Sequence, residues 1–141
     1  MIPLHPHKID HIGIAVRSLR KALPLYRDVW GMEYLGEETV VSEGVRVAFF
    51  RLGESKVELL EPLSDDSPIA RFIHKRGEGV HHVALRVGNL EERLQQLKVA
   101  GIELINDQPK RGAGGNRVAF LHPRSTGGVL YELCEPAKTD E

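Results

Sequence analysis

The chain has 141 residues, and its 19 Lys and Arg against 20 Asp and Glu give a formal net charge of −1. A charge so close to zero gives no electrostatic footprint for a nucleic-acid backbone, and no apolar run approaches the ~18 residues that span a membrane. These quantities favour one globular domain that acts on a small molecule, with no nucleic-acid or membrane partner.

The first part of the chain predicts a strand, a helix and three more strands. The strand covers residues 10–16, and a helical pattern follows the capping residue Ser18 and ends at Gly31. Pro24 falls inside this pattern, so we expect a kink there or a helix that starts late. The three strands that follow are expected at 33–37, 45–52 and 56–60.

A linker comes next, and the same order of elements then returns. Pro68, at a first helical position, predicts a short helix over 68–76 that ends at Gly77. The second set comprises a strand at 81–87, a helix that begins after Asn89 and ends at Gly101, and strands at 103–106, 117–121 and 129–134.

The sequence itself repeats in the same way. Residues 10–16 align with 81–87, and residues 44–49 match 115–120 at five of six positions, both at an offset of 71. Residues 58–62 match 132–136 at an offset of 74, because the turn around 125–128 is longer. We therefore predict an α+β fold of two β-α-β-β-β modules, 8–62 and 80–136, joined by the linker 63–79 in a single domain 8–136.

The repeat places two histidines and two glutamates at equivalent positions. His11 corresponds to His82, and Glu58 corresponds to Glu132. Taken singly, a histidine in a strand is more often a packing residue, and a glutamate near a strand end is more often solvated. Their joint placement favours one site for a divalent cation such as Mn²⁺, Fe²⁺, Co²⁺, Ni²⁺ or Zn²⁺, if the two halves pack so that the four side chains converge.

The other histidines fit structural roles better. We expect packing or solvated positions for a group of four, His5, His7, His74 and His81, and a turn role for His122. The loop 110–117 combines cations with glycines, which is compatible either with a cradle for anionic parts of a substrate or with a plain hairpin. The single cysteine, Cys134, and the absence of a secretion signal at the start predict a reducing cytoplasm.

Four segments closely resemble the methylmalonyl-CoA epimerases of the vicinal oxygen chelate superfamily: 10–16, 58–70, 77–84 and 112–133. The resemblance covers about residues 8–136. It implies a cup-shaped mixed sheet of the glyoxalase/bleomycin-resistance type around a divalent metal, with Co²⁺ or Mn²⁺ favoured, in a homodimer. The metal ligands that it implies are His11, Glu58, His82 and Glu132.

The activity that this resemblance implies is the interconversion of (2R)- and (2S)-methylmalonyl-CoA by removal and return of the C2 proton, through an enolate that the metal stabilises. Some relatives carry a proposed acid/base glutamate where this chain has Val47. Glu132 is therefore our first choice for one proton-transfer role, and Glu43, Glu58 or a water stays open for the other. Glu61 and Glu135 are expected to be exposed strand-end residues.

Two other functions share this fold. A glyoxalase-type lyase would act on a glutathione hemithioacetal, and a metal-free binding protein would only sequester a small molecule. Four intact ligand positions argue against the second. An extradiol dioxygenase is disfavoured, because its ferrous site uses two histidines and a single carboxylate.

Overall fold

The computed structural model describes residues 3–137. Within them, the strands are β1 (Lys8–Ala15), β2 (Glu33–Val40), β3 (Val45–Leu52), β4 (Ser55–Pro62), β5 (Gly79–Arg86), β6 (Lys110–Arg111), β7 (Arg117–Phe120) and β8 (Tyr131–Glu135). The α-helices are α1 (Leu19–Leu23), α2 (Pro68–Arg76) and α3 (Leu90–Val99). A π-helix covers Pro24–Val29, and 3₁₀ turns cover Val41–Glu43, Ala113–Gly115 and Pro123–Ser125. No helix in this part of the chain is both long and apolar enough to cross a bilayer.

The chain forms two compact units, and the boundaries fall at Asp10/His11 and His81/His82. In the first unit, His11–His81, the strand order is β2-β3-β4-β1, and the pair β1/β4 is parallel while the other two pairs are antiparallel. In the second unit the order is β5-β8-β7-β6, again with one parallel pair, β5/β8. The prediction of two β-α-β-β-β modules in an α+β fold is confirmed for each unit.

Each unit packs its first helix against one face of its strands. In the first unit, Leu19 of α1 joins Phe50 and Leu59 in a buried cluster. In the second unit, Leu90 and Leu94 of α3 pack with Leu133. Because side chains alternate along a strand, the residues next to these core positions point to the other face, where both predicted glutamates lie.

Pro24 changes the type of helix. The α1 helix starts at Leu19, so a late start is wrong, and it ends at Leu23, directly before the proline. The following turns are a π-helix, in which the Trp30 N–H donates to Leu25 C=O at 2.9 Å. A proline offers no N–H and crowds the preceding turn, which explains why the α-helical hydrogen bonds stop there.

The predicted strand at 103–106 is wrong. Only Leu104 makes an isolated bridge, to Leu121, and the short β6 lies further on. Backbone hydrogen bonds still join Ile105 N–H to Phe120 C=O and His122 N–H to Glu103 C=O, both at 2.9 Å. The Phe120 N–H, however, donates to the side chain of Asn106, at 2.9 Å from Oδ1, and not to a backbone carbonyl. Pro109 follows and has no N–H to donate.

The linker helix is confirmed with the predicted bounds. Ser67 caps α2 through a hydrogen bond that its Oγ accepts from the Ala70 N–H at 3.1 Å. Gly77 follows the helix with φ 80°, a backbone conformation that glycine adopts without strain.

Candidate metal centre

The first unit places one histidine beside one glutamate, here called the first pair. His11 lies on β1 and Glu58 on the parallel neighbour β4, where Gly13 is directly opposite Glu58. His11 Nδ1 is 3.3 Å from Glu58 Oε2, and the two side chains are 4% and 5% exposed. Gly13 has no side chain, so the Glu58 carboxylate can approach the His11 imidazole across the two strands.

The second unit repeats this arrangement in the second pair. His82 lies on β5 and Glu132 on the parallel neighbour β8, opposite the small residue Ala84. His82 Nε2 is 3.9 Å from Glu132 Oε1, with side chains 5% and 8% exposed. The ring of Phe120 meets the His82 ring edge-on, with centroids 5.5 Å apart, and restricts the orientation of the imidazole.

The chemistry of these donors fits a divalent cation. A carboxylate buried among apolar side chains carries a large desolvation cost unless a cation or hydrogen-bond donors compensate it. A neutral imidazole next to it offers a nitrogen lone pair, and nitrogen and oxygen donors together suit Mn²⁺, Co²⁺ and their neighbours. Each predicted histidine ligand therefore lies beside one predicted glutamate ligand within its own unit: His11 beside Glu58, and His82 beside Glu132.

A salt bridge in the second unit, between Asp10 and Arg86, was not predicted. Asp10 is 3% exposed, and its Oδ1 accepts hydrogen bonds from both Nε and Nη2 of Arg86. Cys134 is buried in the same unit, and burial, reinforced by the negative charges of Asp10 and Glu132, raises the pKa of its thiol. The repeat gives no signal for this pair, because the position equivalent to Asp10 in the second half is His81.

The remaining histidines have the structural roles predicted for them. His81 packs edge-on against Phe72 at 4.9 Å between centroids, and burial lowers its pKa to about 4, so that it is neutral. His122 Nδ1 accepts the Arg124 N–H at 3.0 Å and closes a 3₁₀ turn. The other three, His5, His7 and His74, are exposed.

Two glutamates differ from the prediction of exposed strand ends. Glu61 is half-buried, and its Oε2 accepts the Leu19 N–H at 2.8 Å at the start of α1. Glu135 is half-buried and binds Arg117 through a 2.7 Å hydrogen bond from Nη1. The prediction missed these roles because both bonds join segments that are distant in sequence.

Val47 is completely buried on β3, opposite Leu60 of β4. Since Leu60 lies two residues after Glu58 on the same strand, Val47 and Glu58 are on the same face of the first unit. Glu43 is half-buried in the 3₁₀ turn just before β3. The predicted hairpin 110–117 is present, and the Gly112 N–H donates to Asn116 C=O at 2.9 Å across it.

Comparison with known proteins gives one consistent family. A profile described as Glyoxalase/Bleomycin resistance protein/Dioxygenase superfamily matches residues 10–120. The chain is 42% identical to the mitochondrial methylmalonyl-CoA epimerase of Mus musculus, over 89% of this chain and 71% of that protein.

Solved structures agree with this relationship. A Bacillus halodurans protein is 56% identical and has a TM-score of 0.91, over 95% of this chain and 97% of its own. A variant of the Streptomyces coelicolor methylmalonyl-CoA epimerase in complex with 2-nitronate-propionyl-CoA is 35% identical and has a TM-score of 0.90, over 96% of this chain and 99% of that one. The backbone of this chain therefore follows that of an epimerase almost throughout.

Proposed function

Because this chain belongs to the methylmalonyl-CoA epimerases of the glyoxalase/bleomycin resistance protein/dioxygenase superfamily, we propose that it interconverts (2R)- and (2S)-methylmalonyl-CoA. This reaction is the work of an isomerase of the racemase and epimerase class, which removes the proton on C2 and returns it on either face. The observation that carries the proposal is the presence of two buried His–Glu pairs at equivalent positions of the repeat.

We infer that the two pairs together bind one divalent cation, with His11, Glu58, His82 and Glu132 as the ligands. The burial of all four side chains and their nitrogen and oxygen donors support this ligand set. Co²⁺ or Mn²⁺ is our first expectation, with Zn²⁺, Ni²⁺ or Fe²⁺ as alternatives. When bound, the cation supplies Lewis-acid stabilisation of the negative charge that develops on the thioester oxygen.

The protein must also accept a proton from C2 and donate one to it. We assign one of these roles to Glu132, whose carboxylate is buried next to His82. Val47 has no titratable group, so it takes no part in proton transfer. The second role falls to Glu43, to Glu58, which is on the same face as Val47, or to a water.

The proposal extends to the oligomeric state, the compartment and the metabolic role of the enzyme. We expect a homodimer in the cytoplasm that serves propionate metabolism. The single described cysteine is a buried free thiol, which is compatible with a reducing compartment.

The direct test is deuterium exchange at C2. The protein loaded with Co²⁺ or Mn²⁺ is incubated with (2R)- or (2S)-methylmalonyl-CoA in D₂O, and the C2 proton is followed by NMR and mass spectrometry. We expect deuterium at C2 and formation of the other epimer. Absence of exchange by the metal-loaded protein would overturn the proposal.

Two variants connect the activity to the second pair. We expect Glu132→Gln to abolish exchange and His82→Ala to lose both the metal and the exchange. Glu92→Gln, which removes one exposed carboxylate from α3 of the same unit, serves as the matched control and should exchange like the wild type.

A further inference from the structure

Phe120 lies beside both members of the second pair. On β7 it is directly opposite Glu132 of β8, and directly opposite residues of paired strands are on the same face. Its chain neighbours Ala119 and Leu121 belong to the buried cluster that packs with α3 on the other face. The Phe120 ring therefore lies on the face of the candidate metal centre, where it stands nearly perpendicular to the His82 ring, at 82°.

The backbone of Phe120 is held by the segment that leads from α3 to β6. Asn106 is half-buried, and its Oδ1 accepts the Phe120 N–H at 2.9 Å. The Ile105 N–H donates to Phe120 C=O, also at 2.9 Å. Both polar groups of the Phe120 backbone are thus bonded to this segment, and the bonds fix the backbone from which the ring projects.

The ring of Phe120 has a contact of its own with the same part of the chain. The Lys110 ammonium lies over the ring at 5.7 Å from its centroid, within the range of a cation–π contact. Lys110 follows Asn106 by four residues, at the start of β6. A phenylalanine side chain has only two rotatable bonds, so a fixed backbone and a contact on the ring leave it little freedom.

The amide at position 106 is a feature of the second half of the chain alone. The repeat places Phe49 at the position equivalent to Phe120, and Phe49 is directly opposite Glu58. At the same offset of 71, the residue that corresponds to Asn106 is Leu35, which has no side-chain oxygen. Because the first module forms without this amide, the common fold of the modules does not account for Asn106.

We propose that Asn106 is a positioning residue for the metal ligand His82 and acts on it through Phe120. The bond from Asn106 fixes the backbone of Phe120, and the Phe120 ring then limits rotation of the imidazole beside Glu132. Contacts that hold a metal-ligating histidine in one orientation typically contribute about tenfold to a hundredfold to metal affinity. The status of His82 as a ligand rests on the proposed function, whereas the route from Asn106 to the imidazole rests on the contacts described above.

The orientation of His82 is measured first, in the metal-free protein. The imidazole lies next to a perpendicular aromatic ring, so the chemical shifts of its protons contain a ring-current contribution that NMR detects. We expect Asn106→Ala to change these shifts. Asn106→Asp, whose carboxylate oxygen accepts the same N–H, should retain the shifts of the wild type. Unchanged His82 shifts in Asn106→Ala would overturn the proposal.

The affinity for Co²⁺ is measured next, by competition with a chelator. We expect a loss of about tenfold in Phe120→Leu and about fivefold in Asn106→Ala, with Asn106→Asp close to the wild type. The double variant Asn106→Ala/Phe120→Leu should bind Co²⁺ like Phe120→Leu alone, because Asn106 acts only through this ring. Losses that add in the double variant would overturn the route through Phe120.

Two matched controls separate positioning from general stability. Ser125→Ala removes another 2.9 Å bond from a backbone N–H to a side chain in the same unit, in which Ser125 Oγ accepts the Glu103 N–H. Phe72→Leu removes a phenylalanine that also meets a histidine edge-on, the structural His81, at 4.9 Å between centroids. Both should lower Tm and bind Co²⁺ like the wild type. Losses of affinity in these controls as large as those in Asn106→Ala and Phe120→Leu would overturn the positioning role.

Deuterium exchange at C2 separates this proposal from the proposed function. Altered His82 shifts in Asn106→Ala with an unchanged affinity for Co²⁺ would overturn the positioning role, and normal exchange by the wild type would leave the epimerase proposal intact. Binding of Co²⁺ that depends on Asn106, in a wild-type protein that does not exchange the C2 proton, would support the positioning role and overturn the epimerase proposal.

Discussion

The carboxylate of Glu58 lies against the imidazole of His11, with Oε2 3.3 Å from Nδ1, on two parallel strands of one unit. The same relationship recurs between Glu132 and His82 at 3.9 Å in the other unit. In both cases the first strand of the unit carries the histidine and its last strand carries the glutamate. One strand pairing, used twice, therefore produces both donor pairs.

Replacing Glu58 by glutamine should weaken metal binding. Glutamine has nearly the same shape but no negative charge, so we expect the affinity for Co²⁺ to fall by about tenfold or more. The measurement is a competition titration against a chromophoric chelator. Glu54→Gln, which changes an exposed carboxylate in the turn before β4, is the control, and equal affinities of all three proteins would contradict the assignment of Glu58 as a ligand.

Removing the metal should lower the thermal stability. A ligand that binds only the folded state at a thousand times its Kd stabilises by about 4 kcal/mol, which corresponds to a rise in Tm of roughly 10 °C for a chain of this size. Differential scanning calorimetry with and without Co²⁺ measures the shift. His82→Ala should show no shift while His74→Ala, on the exposed side of α2, keeps it; a shift that survives in His82→Ala would exclude that ligand.

Shortening Val47 should affect stability more than turnover. Val47 is fully buried, so Val47→Ala should lower the free energy of unfolding by roughly 2 kcal/mol through lost burial and a small cavity. Neither side chain can transfer a proton, and the exchange rate per bound metal should stay within about threefold of the wild type. Urea unfolding and C2 deuterium exchange provide the two values, and a hundredfold slower exchange would assign Val47 a direct role.

Removing the cap of α2 should destabilise the protein. Ser67 is buried and its Oγ accepts the Ala70 N–H, so Ser67→Ala should reduce the free energy of unfolding by about 1 kcal/mol. Ser18→Ala is the comparison, because Ser18 caps the five-residue helix α1 through a longer bond of 3.3 Å and is only half-buried. We expect a smaller loss there, as measured by urea unfolding, and the reverse order would refute the argument from burial.

The ionised carboxylate of Glu37 should stabilise the folded protein at neutral pH, and this contribution should be lost in acid. Its carboxylate accepts hydrogen bonds from Tyr34 Oη and Arg46 Nε, both at 2.7 Å, and these bonds, Tyr34 first, lower its pKa in the folded protein. The unfolded chain therefore binds a proton on Glu37 more readily than the folded protein does. The stabilisation is fully present above the ordinary pKa of glutamate, and it is lost as the pH falls through the lowered pKa of the folded protein. We expect Glu37→Gln to reduce Tm at neutral pH and to match the wild type in strong acid; a Tm difference that stays constant over this pH range would refute the role of this ionisation.

Much of the fold could be predicted because the repeat reinforces a local pattern. The linker helix Pro68–Arg76 and strand β3 have the predicted bounds, since proline, capping serine and strand alternation all act locally. The strand expected at 103–106 failed because Asn106 bonds to Phe120 through its side chain, and a pattern of apolar residues does not contain that contact. The change to a π-helix at Pro24 also lay outside the local pattern, which indicates only that an α-helix is disturbed there.

The candidate site was predicted in part for the same reason. The equivalence of His11 with His82 and of Glu58 with Glu132 followed from the repeat, and the structure places each histidine beside the glutamate of its own unit. The Asp10–Arg86 pair and the bonds of Glu61 and Glu135 could not be predicted, because they join residues that the repeat does not relate. Long-range contacts of single residues depend on the packed structure rather than on a pattern along the chain.

The turn that His122 closes has a practical consequence for engineering. It lies between Phe120 and Glu132, a segment three residues longer than the aligned segment from Phe49 to Glu58. Glu132 nevertheless lies opposite Ala84, as Glu58 lies opposite Gly13. The register of the parallel strands is therefore independent of the length of this connection. We therefore expect short peptide tags or reporter loops inserted near Gly127 to leave Glu132 at the same position on its strand.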